Sequence, residues 1–268
     1  MTGWHSIERG TGRPLILLHG GGASARSWLP VLDRLGAERH AIALDFPGFG
    51  ETPDPEVEIT IDWVLDELTE ELRRREIPTP VDIVGNSMGG LFALEFAKRG
   101  LARSVVALAP VTLWRSTMPL PLRAQFQLGM ALAPVTRTPV RRILDKPAVR
   151  RALLSIPFAH PEHMTGAEAI AFMQDLDRSR PTLHIALNIA KSIRFQGGNA
   201  ITCPITVAFG TRDHMLPPST SQVHDELPAQ TRWLTLPDCG HMPMWDNPAL
   251  IAETILTGTE SDRLAQTG

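Results

Sequence analysis

Residues 85–90 read Gly-Asn-Ser-Met-Gly-Gly, and they directly follow the apolar run Val-Asp-Ile-Val at 81–84. A helical pattern then extends from Met88 to Arg99, where Gly100 ends it. At a strand-to-helix junction, a Gly-x-Ser-x-Gly motif forms a sharp, strained turn that lifts the serine hydroxyl clear of the sheet. Glycines are needed there because side chains would clash with the neighbouring strand and helix. Ser87 is therefore the candidate nucleophile, although the motif without its setting also fits a glycine-rich turn that has no chemistry.

Short apolar runs alternate with helical patterns through most of the chain. This alternation predicts an α/β fold, a mostly parallel sheet with helices on both faces. Strands are predicted at 14–18, 40–44, 81–84, 105–109, 205–209 and 232–236. Helices are predicted from about Ser27 to a stop at Gly36, over 61–75, over 88–99, after Pro218, and from Pro248 with Asn247 as its N-cap.

The alternation stops in the middle of the chain. Residues 112–196 show helical patterns interrupted by eight prolines, with no convincing strand, and carry twelve Lys and Arg against five Asp and Glu. That segment has a net charge of +7, whereas the whole chain of 268 residues has −3. We therefore expect an α/β core formed by residues 1–111 and 197–268, with residues 112–196 inserted as a helical cap, or lid.

A serine nucleophile needs a general base, and that base needs a third group to orient it. The best base is His241, which follows the predicted strand 232–236, and the best acid is Asp213, which follows the strand 205–209. Taken singly, each has a plainer interpretation, as a surface-loop histidine or a turn aspartate. Both follow the carboxyl ends of strands, where sites gather in open α/β sheets, and they stand in the order Ser, Asp, His. Their joint placement favours a catalytic triad.

A second glycine-rich stretch, His19-Gly20-Gly21-Gly22, lies between the first predicted strand and the first predicted helix. Glycines let the backbone approach a bound oxyanion closely. We expect the N–H of Gly21 to donate to that oxyanion together with the N–H of Met88 at the start of a helix, with Gly22 as the second choice. The alternative is an ordinary tight turn, and His19 itself is expected to stabilise the loop rather than act as a base.

The bulk properties restrict the partners of the chain. A net charge of −3 and a pI near 6.3 give no reason to expect nucleic acid. Two cysteines are too few for a disulfide framework and suit a reducing, cytoplasmic setting. No signal peptide and no apolar stretch of membrane-spanning length is evident. These features predict an intracellular protein without stable membrane insertion, and they leave its oligomeric state open.

The chain resembles the α/β-hydrolase superfamily over essentially its whole length, in the serine-nucleophile branch that has a helical cap. The segments that carry the resemblance are His19–Gly22, Asp45-Phe46-Pro47-Gly48-Phe49-Gly50, Gly85–Gly90, Gly210–Asp213 and Gly240-His241. The resemblance implies oxyanion donors at Gly21 and Met88, two-step acyl transfer through Ser87, and no metal or cofactor. It also implies an eight-stranded sheet, of which the short N-terminus lacks the first antiparallel strand or two. Dehalogenases and epoxide hydrolases of this fold use an aspartate nucleophile, so Ser87 argues against both.

The predicted reaction is hydrolysis of a small acyl or aryl ester. The main rival is carbon–carbon bond hydrolysis, because the two glycine motifs also resemble hydrolases of aromatic meta-cleavage products. Against that rival, Met242 stands where those enzymes usually have tryptophan, and Ala23-Ser24-Ala25 replaces their Pro-Gly-Ala. Lactone and thioester cleavage are compatible with the same triad. A ligand receptor of this fold is a different kind of alternative, disfavoured because only chemistry requires all three triad residues.

The cap is expected to determine specificity, since it would overlie the carboxyl ends of the strands. Candidate residues of an apolar substrate pocket are Trp114, Met118, Phe126 and Met242, although each could simply pack helices together. Further apolar candidates are Met130, Phe158, Met164, Phe172 and Met173. The positive charge of the cap suggests attraction of an acidic substrate, and the alternative is a set of solvated or ion-paired helix faces.

Overall fold

In the computed structural model, the described residues are 3–114, 118, 120, 122–124 and 143–260. They contain a seven-stranded sheet in the order β1-β3-β2-β4-β5-β6-β7. The strands are β1 (Ser6–Arg9), β2 (Pro14–Leu18), β3 (His40–Leu44), β4 (Val81–Asn86), β5 (Ala102–Leu108), β6 (Ile205–Gly210) and β7 (Arg232–Leu236). β1 pairs antiparallel with β3, and all the other neighbouring strands are parallel.

Helices follow the strands in alternation. The α-helices are α1 (Leu29–Gly36), α2 (Ile61–Arg74), α3 (Met88–Lys98), α4 (Pro147–Leu154), α5 (Gly166–Arg178), α6 (Arg180–Ser192), α7 (Pro218–Ser221), α8 (Pro243–Asp246) and α9 (Pro248–Gly258). 3₁₀ helices in the described part of the chain cover Ala25–Trp28, Pro161–His163 and Gly198–Ala200. No helix within these described ranges is long and apolar enough to cross a membrane.

Successive side chains along each strand point to opposite faces of the sheet, and helices pack on both faces. On β2, Ile16 and Leu18 belong to the apolar cluster that includes α2 and α3. Leu15 and Leu17 belong to the opposite cluster, which includes α1 and α9. The predicted fold class, a mostly parallel sheet covered on both faces, is confirmed.

The N-terminal edge of the sheet holds one strand that the apolar runs did not predict, and the seven described strands are one fewer than the eight that the resemblance implies. One antiparallel strand, β1, is present and pairs with β3 over four residue pairs, Ser6–Leu44 to Arg9–Ala41. The sequence predicts that α1 stops at Gly36, and the helix ends with this glycine as its last residue. A Cβ at Gly36 would lie 2.6 Å from the Cβ of Arg9. The glycine therefore lets α1 pack directly against the end of β1.

The loops after β2, β4, β6 and β7 meet at the carboxyl edge of the sheet, as parallel pairing requires. Leu18 at the end of β2 pairs with Gly85 of β4, which brings the first glycine loop beside the turn at Ser87. Helices α5 and α6, from the segment between β5 and β6, pack on this edge. Leu176 of α5 and Leu183 of α6 contact Gly22, so two elements remote in sequence cover the glycine loop.

Candidate active site

Ser87 occupies a strained turn between β4 and α3. Its φ of 55° and ψ of −113° lie outside the regions that non-glycine residues prefer. The backbone is fixed there because the Ser87 N–H donates to the Leu108 carbonyl at 2.9 Å. A Cβ at Gly85 would overlap the Gly89 carbonyl, and a Cβ at Gly89 would overlap that of Leu18. The two motif glycines thus permit the close approach of strand and helix that exposes the serine hydroxyl to the cavity.

The structure brings His241 and Asp213 together. The Nδ1 of His241 lies 2.9 Å from Oδ2 of Asp213, and both side chains are buried. The other carboxylate oxygen, Oδ1, accepts from the N–H groups of Met215 at 2.9 Å and Leu216 at 2.7 Å. Because a carboxylate only accepts, Nδ1 of the imidazole carries the proton. That tautomer leaves Nε2 free of a proton and able to take one.

Ser87 and His241 line the same cavity. Among the hydrogen bonds of the described residues, none joins the Ser87 hydroxyl to the ring of His241. In unliganded enzymes such bonds are commonly long or poorly aligned and tighten when substrate binds. His241 is therefore held by Asp213, and Ser87 faces the same cavity as the His241 ring.

The predicted oxyanion donors flank the serine. Gly21 and Met88 both line the cavity, and Met88 is the first residue of α3, where an N–H has no acceptor within the helix. Gly22, the second choice, is absent from the described lining and has a φ of 81°. Its position faces Leu176 and Leu183 instead of the serine. The geometry thus brings together Gly21 and Met88, but not Gly22.

His19 is fully buried, and both of its ring nitrogens form hydrogen bonds with backbone groups. Its Nε2 accepts from the Phe46 N–H at 3.1 Å, so the proton is on Nδ1, which donates to the Gly20 carbonyl at 2.7 Å. Burial lowers the pKa of His19, because desolvation disfavours the charged imidazolium. This neutral ring connects the glycine loop to the loop after β3, as expected for a loop-stabilising residue.

The motif from Asp45 to Gly50 supports the glycine loop from the core side. Asp45 is buried and accepts from the Ala25 N–H at 2.5 Å, the Glu51 N–H at 2.9 Å and the His5 ring at 2.6 Å. A Cβ at Gly50, where φ is 54°, would overlap the Asp45 carboxylate. The motif belongs to the family resemblance, which implies no role for it. In the structure its contacts hold the neighbouring loops in place.

The cavity in front of Ser87 is almost entirely apolar. Its walls include Phe46, Phe49, Leu91, Phe92, Met215 and Met242 from the core side. From segment 112–196 they include Met118 and, on α6 and at its end, Leu183, Ala186, Leu187, Ile189, Ala190 and Ile193. Apart from the His241 imidazole, no ionisable side chain belongs to the lining that the described residues form. A pocket of this composition suits a neutral, apolar substrate group.

The predicted pocket residues divide into three groups. Met118 and Met242 line the cavity. Trp114 does not; its indole N–H donates to the Ile193 carbonyl at 3.1 Å, which packs the ring beneath the end of α6. Phe126, like Met130, lies outside the described residues. The additional candidates Phe158 and Met164 are buried in the opposite apolar cluster, with Phe172 and Met173 packed on it, so these four residues pack helices together.

One wall of the cavity is formed by residues that the sequence did not predict as pocket residues. Ile59, Thr60, Ile61, Trp63 and Val64, where α2 begins, all line it. The periodicity of α2 placed Ile61 on the buried stripe with Leu65, Leu68 and Leu72, but only the last three are buried. Trp63 lies off that stripe. An apolar side chain at such a position is the one feature of the sequence that indicates a second buried surface on α2.

Asp246 is a second residue whose structural role the sequence did not predict. Its carboxylate is buried and accepts from the N–H groups of Gly240 at 2.7 Å, His160 at 2.8 Å and Ala159 at 3.1 Å. These bonds hold the loop that carries His241 against the 157–160 segment. No pattern in the sequence marks Asp246, because its partners are backbone groups up to 87 positions away.

Residues 15–254 match the sequence model of the alpha/beta hydrolase family. A 2-hydroxy-6-oxo-6-(2'-aminophenyl)hexa-2,4-dienoic acid hydrolase of Metapseudomonas resinovorans is 28% identical over 270 aligned residues, covering 94% of this chain and 85% of that protein. Epoxide hydrolase EphH of Mycobacterium tuberculosis is 31% identical over 183 residues, covering 66% and 85%. Among solved structures, a thermophilic esterase from Thermogutta terrifontis has a TM-score of 0.72 at 21% identity, with 95% and 92% of the chains covered.

Proposed function

This chain belongs to the alpha/beta hydrolase family, and from that membership we propose that it is a serine carboxylesterase acting on neutral, apolar esters through an acyl-enzyme. The observation that carries the proposal is a single cavity lined by Ser87, His241, Gly21 and Met88, with Asp213 hydrogen-bonded behind His241. This arrangement offers a nucleophile, an oriented base and two oxyanion donors to one carbonyl group.

In the proposed mechanism, Ser87 Oγ attacks the ester carbonyl while Nε2 of His241 takes its proton. The N–H groups of Gly21 and Met88 receive the developing oxyanion, and the imidazolium returns the proton to the leaving alcohol. Water, deprotonated by the same imidazole, then attacks the acyl-enzyme and frees the acid. Asp213 holds the tautomer with Nδ1–H and stabilises the imidazolium.

The preference for neutral substrates follows from the cavity walls. A carboxylate placed among Leu183, Leu187 and Ile193 would lose its hydration without gaining a cationic partner from the described lining. Several cations of segment 112–196 are engaged elsewhere: Arg150 donates to backbone carbonyls, including that of Leu144 at 2.7 Å, and Arg194 pairs with Glu226 at 2.8 Å. These contacts favour the ion-paired interpretation of the segment's charge over attraction of an acidic substrate. We also propose that this segment is the cap that closes the pocket.

A second candidate is carbon–carbon bond hydrolysis of a meta-cleavage product. The relative from Metapseudomonas resinovorans, named as a hydrolase of a dienoic acid and matching 94% of this chain, supports it. Such a substrate carries a carboxylate, for which the described lining has no cation. For epoxide hydrolysis, suggested by the relative from Mycobacterium tuberculosis, Ser87 stands where an aspartate nucleophile would be needed.

The test is a substrate panel with variants. The wild-type chain is expected to be acylated at Ser87 by a fluorophosphonate and to hydrolyse p-nitrophenyl esters of medium-chain acids. Ser87→Ala should abolish both, whereas Ser155→Ala, at an exposed serine on the end of α4, should abolish neither. Faster turnover of a dienoic diketone acid than of any ester would favour the second candidate. Absence of both acylation and turnover would leave a binding protein and end the proposal.

A further inference from the structure

The glycine loop that carries the proposed oxyanion donor cannot hold its own shape. Gly20, Gly21 and Gly22 have no side chains, and glycine has the largest backbone freedom of any residue. Its geometry must therefore be imposed by neighbours. On the core side, Asp45 accepts from the Ala25 N–H at 2.5 Å. On the other side, the contacts come from α5 and α6.

The main polar contact from α5 is made by Asp175. Its Oδ2 lies 2.5 Å from the hydroxyl of Ser24, three residues after Gly21, and its Oδ1 accepts from Nη1 of Arg26 at 3.1 Å. The Ser24 hydroxyl oxygen also accepts from the Arg26 N–H at 3.2 Å, so its proton points to Asp175. One carboxylate thus fixes the rotamer of Ser24, two residues after the glycine loop.

Asp175 is buried, and burial of a carboxylate is unfavourable. Its position therefore suits a residue that orients a neighbour better than a surface ion pair. Only 5% of the residue is exposed, and burial raises the pKa of its carboxyl group, because the charged form is desolvated. Buried ion pairs add little net stability over apolar packing. The next residue, Leu176, contacts the glycine loop at Gly22, and Leu183 of α6 contacts it at Gly21. Helices α5 and α6 therefore restrain the loop by charge and by packing together.

We propose that Asp175 is a positioning residue for the oxyanion loop, holding the Gly21 N–H in its productive direction through the hydroxyl of Ser24. This proposal rests on the proposed serine-hydrolase function. Under this proposal, α5 helps to stabilise the transition state as well as covering the substrate. Misplacement of a donor by about 1 Å is enough to lower a rate on the order of 100-fold.

The kinetic test compares Asp175→Ala, Asp175→Asn and Ser24→Ala with the control Asp177→Asn, two residues further along α5. Asp175→Ala is expected to lower kcat for a p-nitrophenyl ester 10- to 100-fold, on the order expected for a displaced donor, with KM changed less than about threefold. It should weaken inhibition by a trifluoromethyl ketone, whose serine adduct puts an oxyanion at the donors, by the same factor. Asp175→Asn retains an acceptor for Ser24 and should recover most of kcat.

Active-site titration with the fluorophosphonate separates positioning from folding. A kcat loss that matches the loss of titratable enzyme, or a change in KM alone, would reduce Asp175 to a structural contact and overturn the proposal. Ser24→Ala combined with Asp175→Ala should cost no more than the larger single change, since both act through one hydrogen bond. Additive losses would contradict that route.

Amide hydrogen exchange distinguishes failure of this inference from failure of the proposed function. If the wild-type chain has no hydrolase activity, the kinetic arms cannot be measured, but exchange over residues 20–27 can. Faster exchange there in Asp175→Ala, with wild-type exchange in Asp177→Asn, would support a role in holding the loop. Unchanged exchange in Asp175→Ala would overturn the inference whether or not the chain is an esterase.

Discussion

The side-chain amide of Asn86 donates a hydrogen bond of 2.9 Å to the backbone carbonyl of His241, 155 positions further along the chain. The same Nδ2 donates to the Leu108 carbonyl at 3.1 Å. Asn86 thus connects the turn at Ser87 to the loop that carries His241 through a fully buried group. The relative position of Ser87 and His241 depends on this bond as well as on the sheet.

Asn86→Ala should therefore affect both stability and catalysis. The His241 carbonyl loses the Asn86 donor and the Leu108 carbonyl retains only the Ser87 N–H, so the free energy of unfolding should fall by about 2 kcal/mol. Looser placement of His241 should lower kcat on the order of 10- to 100-fold. Urea denaturation and steady-state kinetics measure the two effects. Asn199→Ala is the matched control, because Asn199 is exposed and also donates to a carbonyl, that of Asp225; equal losses in both variants would contradict the prediction.

The strain at Ser87 can be measured by comparing two inactive variants. Glycine tolerates the φ of 55°, whereas alanine is as restricted as serine. Relief of strain should exceed the entropic penalty of glycine, so Ser87→Gly should be more stable than Ser87→Ala by about 1 kcal/mol. Both should lose esterase activity by a factor of about 10⁴ or more. Thermal and urea unfolding give the comparison, and a less stable glycine variant would show that the turn stores no strain.

The apolar wall formed by α6 should decide charge preference. Ala190 lines the cavity, whereas Ile185 on the same helix is 42% exposed. Ala190→Arg adds the missing cation, and kcat/KM for a half-ester of a dicarboxylic acid should rise at least about tenfold relative to a neutral ester of equal length. Ile185→Arg adds the same charge outside the cavity and should leave the ratio near its wild-type value. A similar rise in both variants would indicate long-range steering by charge, not recognition in the cavity.

The buried His19 should make stability depend on pH. Its folded pKa lies below the unfolded value of about 6.5, so the unfolded chain binds a proton that the folded chain does not. The His19 contribution is therefore intact above pH 6.5 and is lost as pH falls below it, by at most about 1.4 kcal/mol per pH unit. Urea denaturation between pH 5 and 8 should show this slope, and His19→Asn should flatten it.

His160 provides an internal comparison for that experiment. A hydrogen bond with Asp238 raises the pKa of His160, so its stabilising contribution is present below about pH 6.5 and is lost as pH rises through the folded pKa. His160→Asn should therefore change the slope on the alkaline side. If His19→Asn leaves the acidic slope unchanged, other groups cause it and the prediction is wrong.

Local patterns in the sequence determined the fold class, most element positions and the identity of the candidate nucleophile. Periodicity reports which face of a segment is buried, and Pro248 after Asn247 marks a helix start by local chemistry alone. The Asn247 side chain accepts from the Leu250 N–H at 3.1 Å, as that signal implied. The turn at Ser87 could be predicted because its motif occupies six consecutive residues, although the atom that excludes a side chain at Gly89 is the carbonyl oxygen of Leu18 on β2.

Only the tertiary structure decided which distant groups hold the site together. Asp175, Asp246 and Asn86 bind partners 86 to 155 positions away, and two of the three bind backbone atoms that carry no sequence signal. The cavity wall at Trp63 and the exclusion of Trp114 likewise depend on contacts between remote segments, such as that of the Trp114 indole with the Ile193 carbonyl. A local pattern constrains the backbone within one or two turns, whereas a contact between remote segments depends on the path of the whole chain.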